Sequence, residues 1–319
     1  MPRWVMPALV MTVLHISGVD ARVVHVAPGG DDAAAGTEAA PWATLTRAAS
    51  SLAAGDTLVV HAGAYHGPMV IEASGTEAEP VVVQVEEGAE AVLEAPPGLG
   101  DASVGVLIRG KHVQLRGLTV RGFVGAGVQV GALVEPSAWD ADHMRTDAYP
   151  ERPADAADRV AVSGVTVRDC GTGIVLGQST HCSVRDCVVT GSGGPGLWLR
   201  SLADHNTLIG NQMSGNQGSG LCVDGGSSFN VIAENECSDN AGPGLLVTES
   251  CWRNVLGRNI AHGNGGPGLQ CRGSRGSAWV WNVVYRNRGA GLAIGEPNGR
   301  GSRNTSVVGN VFEANAGGG

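Results

Sequence analysis

The sequence predicts an all-β solenoid, in which short parallel strands stack coil upon coil. The first observation is a Gly-x-Gly followed by an aliphatic residue, which occurs seven times. Its first glycines are Gly125, Gly171, Gly194, Gly218, Gly242, Gly266 and Gly289. From Gly171 onward the steps are 23, 24, 24, 24 and 23 residues, and the earlier step of 46 residues equals two periods. A constant period of this length indicates a repeat architecture.

The second observation is asparagine at the same period. One column holds Asn211, Asn235, Asn259, Asn282 and Asn310, and the other holds Asn216, Asn240, Asn264, Asn287 and Asn315. Asparagine tolerates left-handed backbone angles and bonds the backbone of its own turn. Asparagines stacked at one place per coil can also bond each other. The two columns therefore predict turns that repeat in every coil.

The third observation is period-2 alternation after each Gly-x-Gly, which is typical of a short strand with one buried face. Two columns are expected to point inward. They are Ile174, Leu197, Leu221, Leu245, Leu269 and Leu292, and then Leu176, Leu199, Val223, Val247, Cys271 and Ile294. A second strand, such as "NVIAEN", precedes the glycines, so we expect two strands per coil. A leucine-rich repeat would need a Leu-x-x-Leu-x-Leu spacing where this chain has paired glycines.

The repeat resembles that of right-handed parallel β-helix proteins related to pectate lyases. The stretch from Val24 through "GDTLVV" and "GAYH" resembles the opening segment of such secreted proteins, and residues 44–53 resemble their short N-terminal capping helix. The resemblance implies a right-handed parallel β-helix of about 23–24-residue coils over 22–319. That superfamily holds lyases, hydrolases, epimerases and non-enzymes, so the fold alone does not give the function.

Residues 1–21 are interpreted as a signal peptide, because Arg3 precedes an apolar run and Val19 and Ala21 are small residues before a cleavage position. We therefore expect a secreted or periplasmic protein. The run is too short to span a membrane as a helix, and no later stretch qualifies. The formal net charge of −9 and the presence of one lysine, Lys111, argue against a nucleic-acid partner.

Seven cysteines leave at least one unpaired. Cys271 falls in an inward column, and Cys182 and Cys187 are spaced like turn residues, so a metal site built of cysteine is disfavoured. Residues 133–159 interrupt the repeat and are interpreted as an inserted loop that leaves directly after the strand "GVQV". Long loops in compact folds often carry function.

The candidate site is the outward face of the strands that follow the Gly-x-Gly. Successive coils stand about 4.8 Å apart. The face would carry Trp198, Arg200, Asp224, Glu249, Gln270 and Arg272, with Asp142, His143 and Tyr149 supplied by the overhanging loop. Related β-helix enzymes bind sugar chains along this sheet, so we expect a polysaccharide partner and a monomeric protein.

The residues allow uronate β-elimination, with Arg200, Asp224, Glu249 and Arg272 as the catalytic candidates. An arginine can neutralise a uronate carboxylate, a second basic residue can take the proton, and Trp198 offers a flat face for a sugar ring. The alternative is a solvated salt-bridge ladder of Arg200, Asp224 and Arg272 with little energetic weight. Many related lyases use a lysine base and acidic Ca²⁺ ligands, and this chain has neither on the face.

Other assignments stay open at this stage. Asp224 and Glu249 suit the two carboxylates of an inverting glycoside hydrolase. A non-catalytic carbohydrate-binding or periplasmic accessory β-helix is a further alternative. Cofactors are unknown: "WDADH" can bind a divalent cation and Asp31 with Asp32 can bind Ca²⁺, but no ligand cluster supports either, and an acidic loop and an ordinary turn are preferred.

The end of the chain continues the repeat. Gly317 and Gly319 stand where the next Gly-x-Gly belongs, with no capping repeat after Gly289. A solenoid needs a cap over its last coil, so we expect the 319-residue sequence to be a truncated form of a longer protein.

Overall fold

A computed structural model describes residues 21–98, 103–133, 156–248, 250–295 and 302–317. The proposed signal peptide, apart from Ala21, and most of the inserted loop lie outside these residues. The described chain is a stack of parallel coils with one short helix, α1 (Leu45–Ser50), at its N-terminal end. Within the described residues no helix is long and apolar enough to cross a membrane.

Three long sheets run along the stack in the described part of the chain. The eleven-stranded sheet comprises β1 Val23–Val26, β2 Thr57–Val60, β5 Val81–Val85, β8 Val113–Arg116, β12 Ala161–Ser163, β16 Ser183–Arg185, β19 Thr207–Ile209, β22 Val231–Ala233, β25 Val255–Gly257, β28 Ala278–Val280 and β31 Ser306–Val308. The ten-stranded sheet comprises β3 Gly63–His66, β6 Ala91–Glu94, β9 Thr119–Arg121, β13 Thr166–Arg168, β17 Val188–Thr190, β20 Gln212–Ser214, β23 Glu236–Ser238, β26 Ile260–His262, β29 Val283–Tyr285 and β32 Val311–Glu313.

The nine-stranded sheet comprises β4 Met69–Ile71, β7 Val106–Ile108, β10 Ala126–Val130, β14 Thr172–Leu176, β18 Leu197–Leu199, β21 Leu221–Val223, β24 Leu245–Val247, β27 Leu269–Cys271 and β30 Leu292–Ile294. A small sheet pairs β11 Ala157–Asp158 with β15 Ser179–Thr180. Each repeated coil therefore has three strands, and the expectation of two was wrong. The missed strand belongs to the ten-stranded sheet and has only three residues in most coils, which is too short for alternation to be visible.

The inward columns are confirmed. Leu197, Leu221, Leu245 and Leu269 are completely buried, and Cys271 lies in the core beside them. The exception is Ile294, whose side chain is 48% exposed. It lies in β30, the last strand of its sheet in the described residues, so no described strand covers its outer side.

The asparagine columns are buried ladders. Asn235 shows the repeating pattern: its Oδ1 accepts from the backbone N–H and the Nδ2 of Asn211, at 3.0 and 2.8 Å. Its own Nδ2 donates to the Leu208 carbonyl and to Asn259 Oδ1, both at 3.0 Å. A third, shorter ladder joins Asn206, Asn230 and Asn254. Because each amide is fully bonded to neighbouring coils, the columns hold adjacent coils in register.

All seven cysteines are buried, and none of them forms a disulfide bond. Burial raises the pKa of the Cys187 thiol to about 11, so this thiol is uncharged at neutral pH. Cys182 and Cys187 do occupy turn columns, where their backbone N–H groups donate to Asn206 and Asn211. These cysteines therefore serve as small core residues.

Asp32 organises the N-terminal cap. Its carboxylate accepts from the backbone of Ala43 and Thr44 and from the Thr44 hydroxyl, at 2.7–2.9 Å. Thr44 in turn caps α1 by accepting from the Arg47 N–H. Burial opposes ionisation of Asp32, but the bonds from Thr44 and Ala43 outweigh it and lower its pKa. Asp32 therefore stabilises the turn that precedes α1.

Candidate functional site

The nine-stranded sheet presents one continuous outward column. Strand register places Val70, Leu107, Gln129, Val175, Trp198, Cys222, Leu246, Gln270 and Ala293 on successive coils. Two residues farther along each strand lies a second column, which includes Arg200, Asp224, Thr248 and Arg272. We define the candidate face as Trp198, Arg200, Cys222, Asp224, Gln270 and Arg272. All six lie on one side of one sheet, on the first, second and fourth of four successive coils.

Trp198 and Arg200 form the first part of the face. The Arg200 guanidinium stacks over the Trp198 ring, 4.2 Å from its centroid. The Trp198 Nε1 atom is buried and has no hydrogen-bond acceptor. A buried donor without a partner is costly, and in a native structure it often marks a position that a bound group completes.

Asp224 lies one coil farther along. Burial raises the pKa of its carboxyl group, and the neighbouring Trp198 N–H and the Arg200 charge offset this only in part. The Trp198 contribution is a weak hydrogen bond to the carboxylate, whose geometry falls short of a normal bond. Asp224 is thus a carboxyl group that holds its proton to a higher pH than an exposed aspartate, which is typical of groups that transfer protons.

Gln270 and Arg272 form the far end of the face. The Oε1 atom of Gln270 is buried without a donor. Arg272 is exposed, and no ion pair of the described residues includes it. Between the two ends lies Cys222, whose thiol pKa is raised by burial.

The salt-bridge ladder considered from the sequence is absent from the described residues. None of the ion pairs within 4.0 Å joins Arg200, Asp224 and Arg272. Arg200 stacks on an aromatic ring instead, and three coils separate it from Arg272. Neither guanidinium group of the face therefore forms an ion pair with a described carboxylate.

Four sequence-predicted site residues lie outside the described residues: Glu249, Asp142, His143 and Tyr149. The segment that contains the last three leaves from β10, in the sheet that carries the candidate face. Ala132, directly before this segment, packs closely against Gly177 of the next coil, since a Cβ on Gly177 would lie 2.1 Å from the Ala132 carbonyl oxygen. Among the residues that the structure describes, no group of three or more His, Cys, Asp or Glu side chains is placed to hold a metal ion.

The sequence reasoning missed the N-terminal part of the same sheet. Glu72 and Arg109 follow β4 and β7 and form an ion pair at 2.6 Å in line with the column of Arg200. Beside them is a groove of about 470 Å³ against α1, lined by Thr46, Ala49, Ser50, Leu52, Val70, Glu72 and Ala73. Glu72 and Arg109 lie at the position of Arg200 in earlier coils. The 46-residue step between Gly125 and Gly171 hides this alignment in the sequence.

Comparison with family models covers most of the chain. Residues 154–312 match the model described as "Right handed beta helix region". Residues 24–137 match the model described as "Pel9A-like, right handed beta helix region". The two matches meet at the inserted segment, so both halves of the stack have the same kind of repeat.

Solved structures show the same fold. Pectate lyase Pel9A aligns with a TM-score of 0.70 and 16% identity, over 90% of this chain and 76% of that chain. A rhamnogalacturonan lyase aligns with a TM-score of 0.57 and 12% identity, over 83% of this chain and 74% of that chain. The A-module of the mannuronan C-5 epimerase AlgE4 of Azotobacter vinelandii aligns with a TM-score of 0.55 and 18% identity, over 85% of this chain and 89% of that chain.

A curated relative matches a shorter stretch. The uncharacterized protein YwoF of Bacillus subtilis (strain 168) is 31% identical over 101 residues, which is 31% of this chain. The matched stretch spans 22% of the length of YwoF. At these identities, the solved structures inform the fold and leave the chemistry to the residues of the candidate face.

Proposed function

This chain is a right-handed parallel β-helix protein of the pectate-lyase-like superfamily, and from that premise we propose that it binds an acidic polysaccharide on its candidate face and cleaves it by uronate β-elimination. The observation that carries the proposal is the arrangement of charge. Two guanidinium groups that form no ion pair with a described carboxylate, Arg200 and Arg272, flank a half-buried carboxyl group, Asp224. The three lie in one column, with Asp224 one coil after Arg200 and two coils before Arg272.

The binding step follows from the unsatisfied groups of the face. A guanidinium binds a uronate carboxylate with two parallel hydrogen bonds, and Arg272 is the exposed group that can do so. Sugar hydroxyls can bond to the amide of the half-buried Gln270, and a sugar ring can pack beside the half-buried Trp198. A polymer that runs along the coils would meet these groups in succession, because they repeat at the spacing of the sheet, about 4.8 Å.

The chemical step requires a proton acceptor and a proton donor. Neutralisation of the uronate carboxylate by Arg272 acidifies the neighbouring C–H. Asp224, as a carboxylate, removes that proton, the electron pair forms a C=C bond while the C–O bond to the next sugar breaks, and the Asp224 carboxylic acid so formed returns the proton to the leaving oxygen. Asp224 is assigned to proton transfer, because its raised pKa suits a group that exchanges a proton. Arginine keeps its proton under ordinary conditions, so Arg200 is assigned to charge stabilisation.

A glycoside hydrolase is the second candidate. The raised pKa of Asp224 favours a general acid, and an inverting mechanism would add Glu249 as the base. A non-catalytic carbohydrate-binding protein is the third candidate, in which the face binds the polymer and breaks no bond. The three differ in their products: an unsaturated uronate, a new reducing end, or neither.

The experiment incubates the protein with a panel of uronate polymers and follows the ultraviolet absorbance of unsaturated uronate together with the release of reducing ends. Polymer affinity is measured in parallel by affinity electrophoresis. We expect Asp224→Asn to lower turnover by roughly a hundredfold or more with affinity nearly unchanged. Arg272→Gln should weaken binding by roughly tenfold, whereas the control Arg286→Gln, on another corner of the coil, should change neither.

The outcomes separate the candidates. New reducing ends without an unsaturated product would support the hydrolase, and binding without any product would support the non-catalytic protein. Failure of every polymer to bind would contradict the whole proposal.

We also propose that the protein is monomeric and acts outside the cytoplasm after cleavage behind Ala21. N-terminal sequencing of the exported protein should then begin at Arg22, and light scattering should give the mass of one chain. A cytoplasmic protein that retains Met1 would contradict the localisation.

A further inference from the structure

The charge of the chain is unevenly distributed. Residues 251–319 contain eight arginines and two glutamates, a formal charge of +6, although the whole chain carries −9. The arginines lie at positions 253, 258, 272, 275, 286, 288, 300 and 303. The C-terminal coils are therefore basic within an acidic protein, and the places of these arginines on the coils decide what they can bind.

Several of them lie on one line of turns, those that lead from the nine-stranded to the eleven-stranded sheet. We call this line the turn face and define it by Phe229, Trp252, Arg253, Arg275 and Arg303. Isolated parallel bridges join Trp252 to Arg275 and Arg275 to Arg303 on successive coils, which places them about 4.8 Å apart. Arg253 is the residue after Trp252, and it has the same position in its coil that Phe229 has in the preceding coil.

Aromatic rings support the guanidinium groups. The Arg253 guanidinium lies 5.8 Å from the centroid of Phe229, and that of Arg275 lies 5.8 Å from the Trp252 ring. Toward the N-terminus the Phe229 ring stacks on His205, and His205 stacks on His181, at centroid distances of 5.0 and 5.6 Å. Stacking on a ring uses the flat face of a guanidinium and not its in-plane N–H groups, which are the groups that bind oxyanions.

Arg253 and Arg303 are exposed, and neither belongs to an ion pair of the described residues. Arg258, on another corner of the same coil as Arg253, differs because it pairs with Glu234 at 3.1 Å. Glu249 and Glu296 belong to the same line of turns by sequence but lie outside the described residues. In the described part, the turn face holds three arginines on successive coils, two of which, Arg253 and Arg275, lie near aromatic rings.

We propose that the turn face is a second binding site, separate from the candidate face, for a linear anionic polysaccharide whose acidic groups lie along the stack. Nucleobases need open aromatic faces, whereas Phe229 has a ring on one side and a guanidinium near it. Sugar carboxylates or sulfates need only the in-plane N–H groups. The choice of a glycan among polyanions rests on the proposed function, while the site itself rests on the arginines.

The test compares two double variants of the full chain. Arg253→Gln with Arg303→Gln removes charge from the turn face. The control, Arg258→Gln with Arg288→Gln, removes the same number of charges from other corners of the coils. Arg253 and Arg258 are matched in backbone conformation, because both are left-handed, with φ of 50° and 55°. Binding of polygalacturonate, dextran sulfate and a single-stranded oligodeoxynucleotide is measured at two salt concentrations, in the wild-type and the Arg272→Gln backgrounds.

We expect the first double variant to lose roughly tenfold in glycan affinity, with a weaker salt dependence, and the second to stay within about twofold. The polygalacturonate and dextran sulfate arms show whether carboxylates or sulfates are preferred. Equal losses in both double variants, or in neither, would overturn the proposal, as would tighter binding of the oligonucleotide than of either glycan. If the first double variant is unstable, the single Arg303→Gln change replaces it and must show a loss that the Arg288→Gln change does not.

The two backgrounds separate this site from the candidate face. A failure of the candidate face appears as equal binding in the wild-type and Arg272→Gln backgrounds. A failure of the turn face appears as equal binding in the two double variants.

Discussion

The N-terminal and C-terminal coils fill the same turn position in different ways. At each corner, one residue with a left-handed backbone precedes an inward-pointing residue. At the corner between the eleven- and ten-stranded sheets, the inward residues are Leu118 and Val165, then Cys187, then Asn211, Asn235, Asn259, Asn282 and Asn310. At the next corner they are Phe123, Cys170 and Ser192, and then Asn216 and its column. The corners change from apolar to amide along the stack.

The difference teaches how a coil stack is held. An apolar turn residue needs only to fill its volume, so the same corner position can hold Leu118 in one coil and Val165 in the next. A buried amide needs partners, and each ladder asparagine takes them from the coil before and the coil after. An amide position therefore continues from coil to coil once it has begun. Cys187 stands at the change, because its N–H donates to Asn211 Oδ1 at 3.1 Å.

The largest expected effect is an interruption of the ladder. Asn235→Ala leaves the Leu208 carbonyl and donors of Asn211 without partners in a buried turn, so we expect a loss of about 4 kcal/mol in the free energy of unfolding. Urea unfolding measures it. The control, Gln212→Ala, removes an exposed amide near the same corner and should cost under about 0.5 kcal/mol. Equal losses would show that the ladder does not hold the coils.

An amide placed among apolar corners should fail. Leu118→Asn removes a buried side chain and sets an amide beneath Val165, which has no amide to bond it, so we expect a loss of about 3 kcal/mol. Leu118→Met keeps the volume and should cost less than about 1.5 kcal/mol. Thermal and urea unfolding of the two variants give the comparison. A stable Leu118→Asn variant would contradict the distinction between the two halves.

The corner at Cys187, between the apolar and the asparagine parts of the column, should accept an amide. Cys187→Asn lies directly before Asn211 in the column, where its Nδ2 would meet Asn211 Oδ1 and the Val162 carbonyl, to which the thiol now points at 3.8 Å. We expect a change within about 1 kcal/mol of the wild type, because the ladder is extended by one coil. A loss as large as that of Leu118→Asn would show that position along the stack, and not the neighbouring amide, decides the outcome.

The smallest effect concerns two acids with opposite pKa shifts. Burial opposes ionisation of Asp56 in the N-terminal coils, but bonds from Arg22 and Ala53 outweigh it and lower its pKa. Burial raises the pKa of Asp224. Between the unfolded pKa and the raised folded pKa of Asp224 the folded state holds more protons, so stability falls as pH rises through that window. Asp224→Asn should then be the more stable protein at neutral pH, and the difference should vanish below the usual aspartate pKa.

Unfolding curves across acid and neutral pH measure this dependence. Asp56→Asn is the matched case with the opposite sign, since its wild-type stability is lost as pH falls through the lowered pKa. A parallel pH dependence of the two variants would contradict the assigned directions.

Much of the fold could be predicted because a solenoid repeats its contacts. The inward leucines and the asparagine columns each occur once per coil, so the period alone revealed their places. The strand "ECS" could not be found in this way, since three residues between two asparagines show no alternation. Of the candidate site, the sheet and its side were predictable by counting, whereas Glu72 and Arg109 were hidden by the inserted segment.

The sequence by itself determined the period, the inward face and the residues that stack, because neighbouring coils must present the same side chains to each other. Only the tertiary structure decided the partners on the outside. Arg200 has both Asp224 and Trp198 within reach, and it stacks on the ring. Arg253 and Arg275 lie near aromatic rings of the preceding coil. Such choices depend on burial and on competing neighbours across coils, which no spacing along the chain contains.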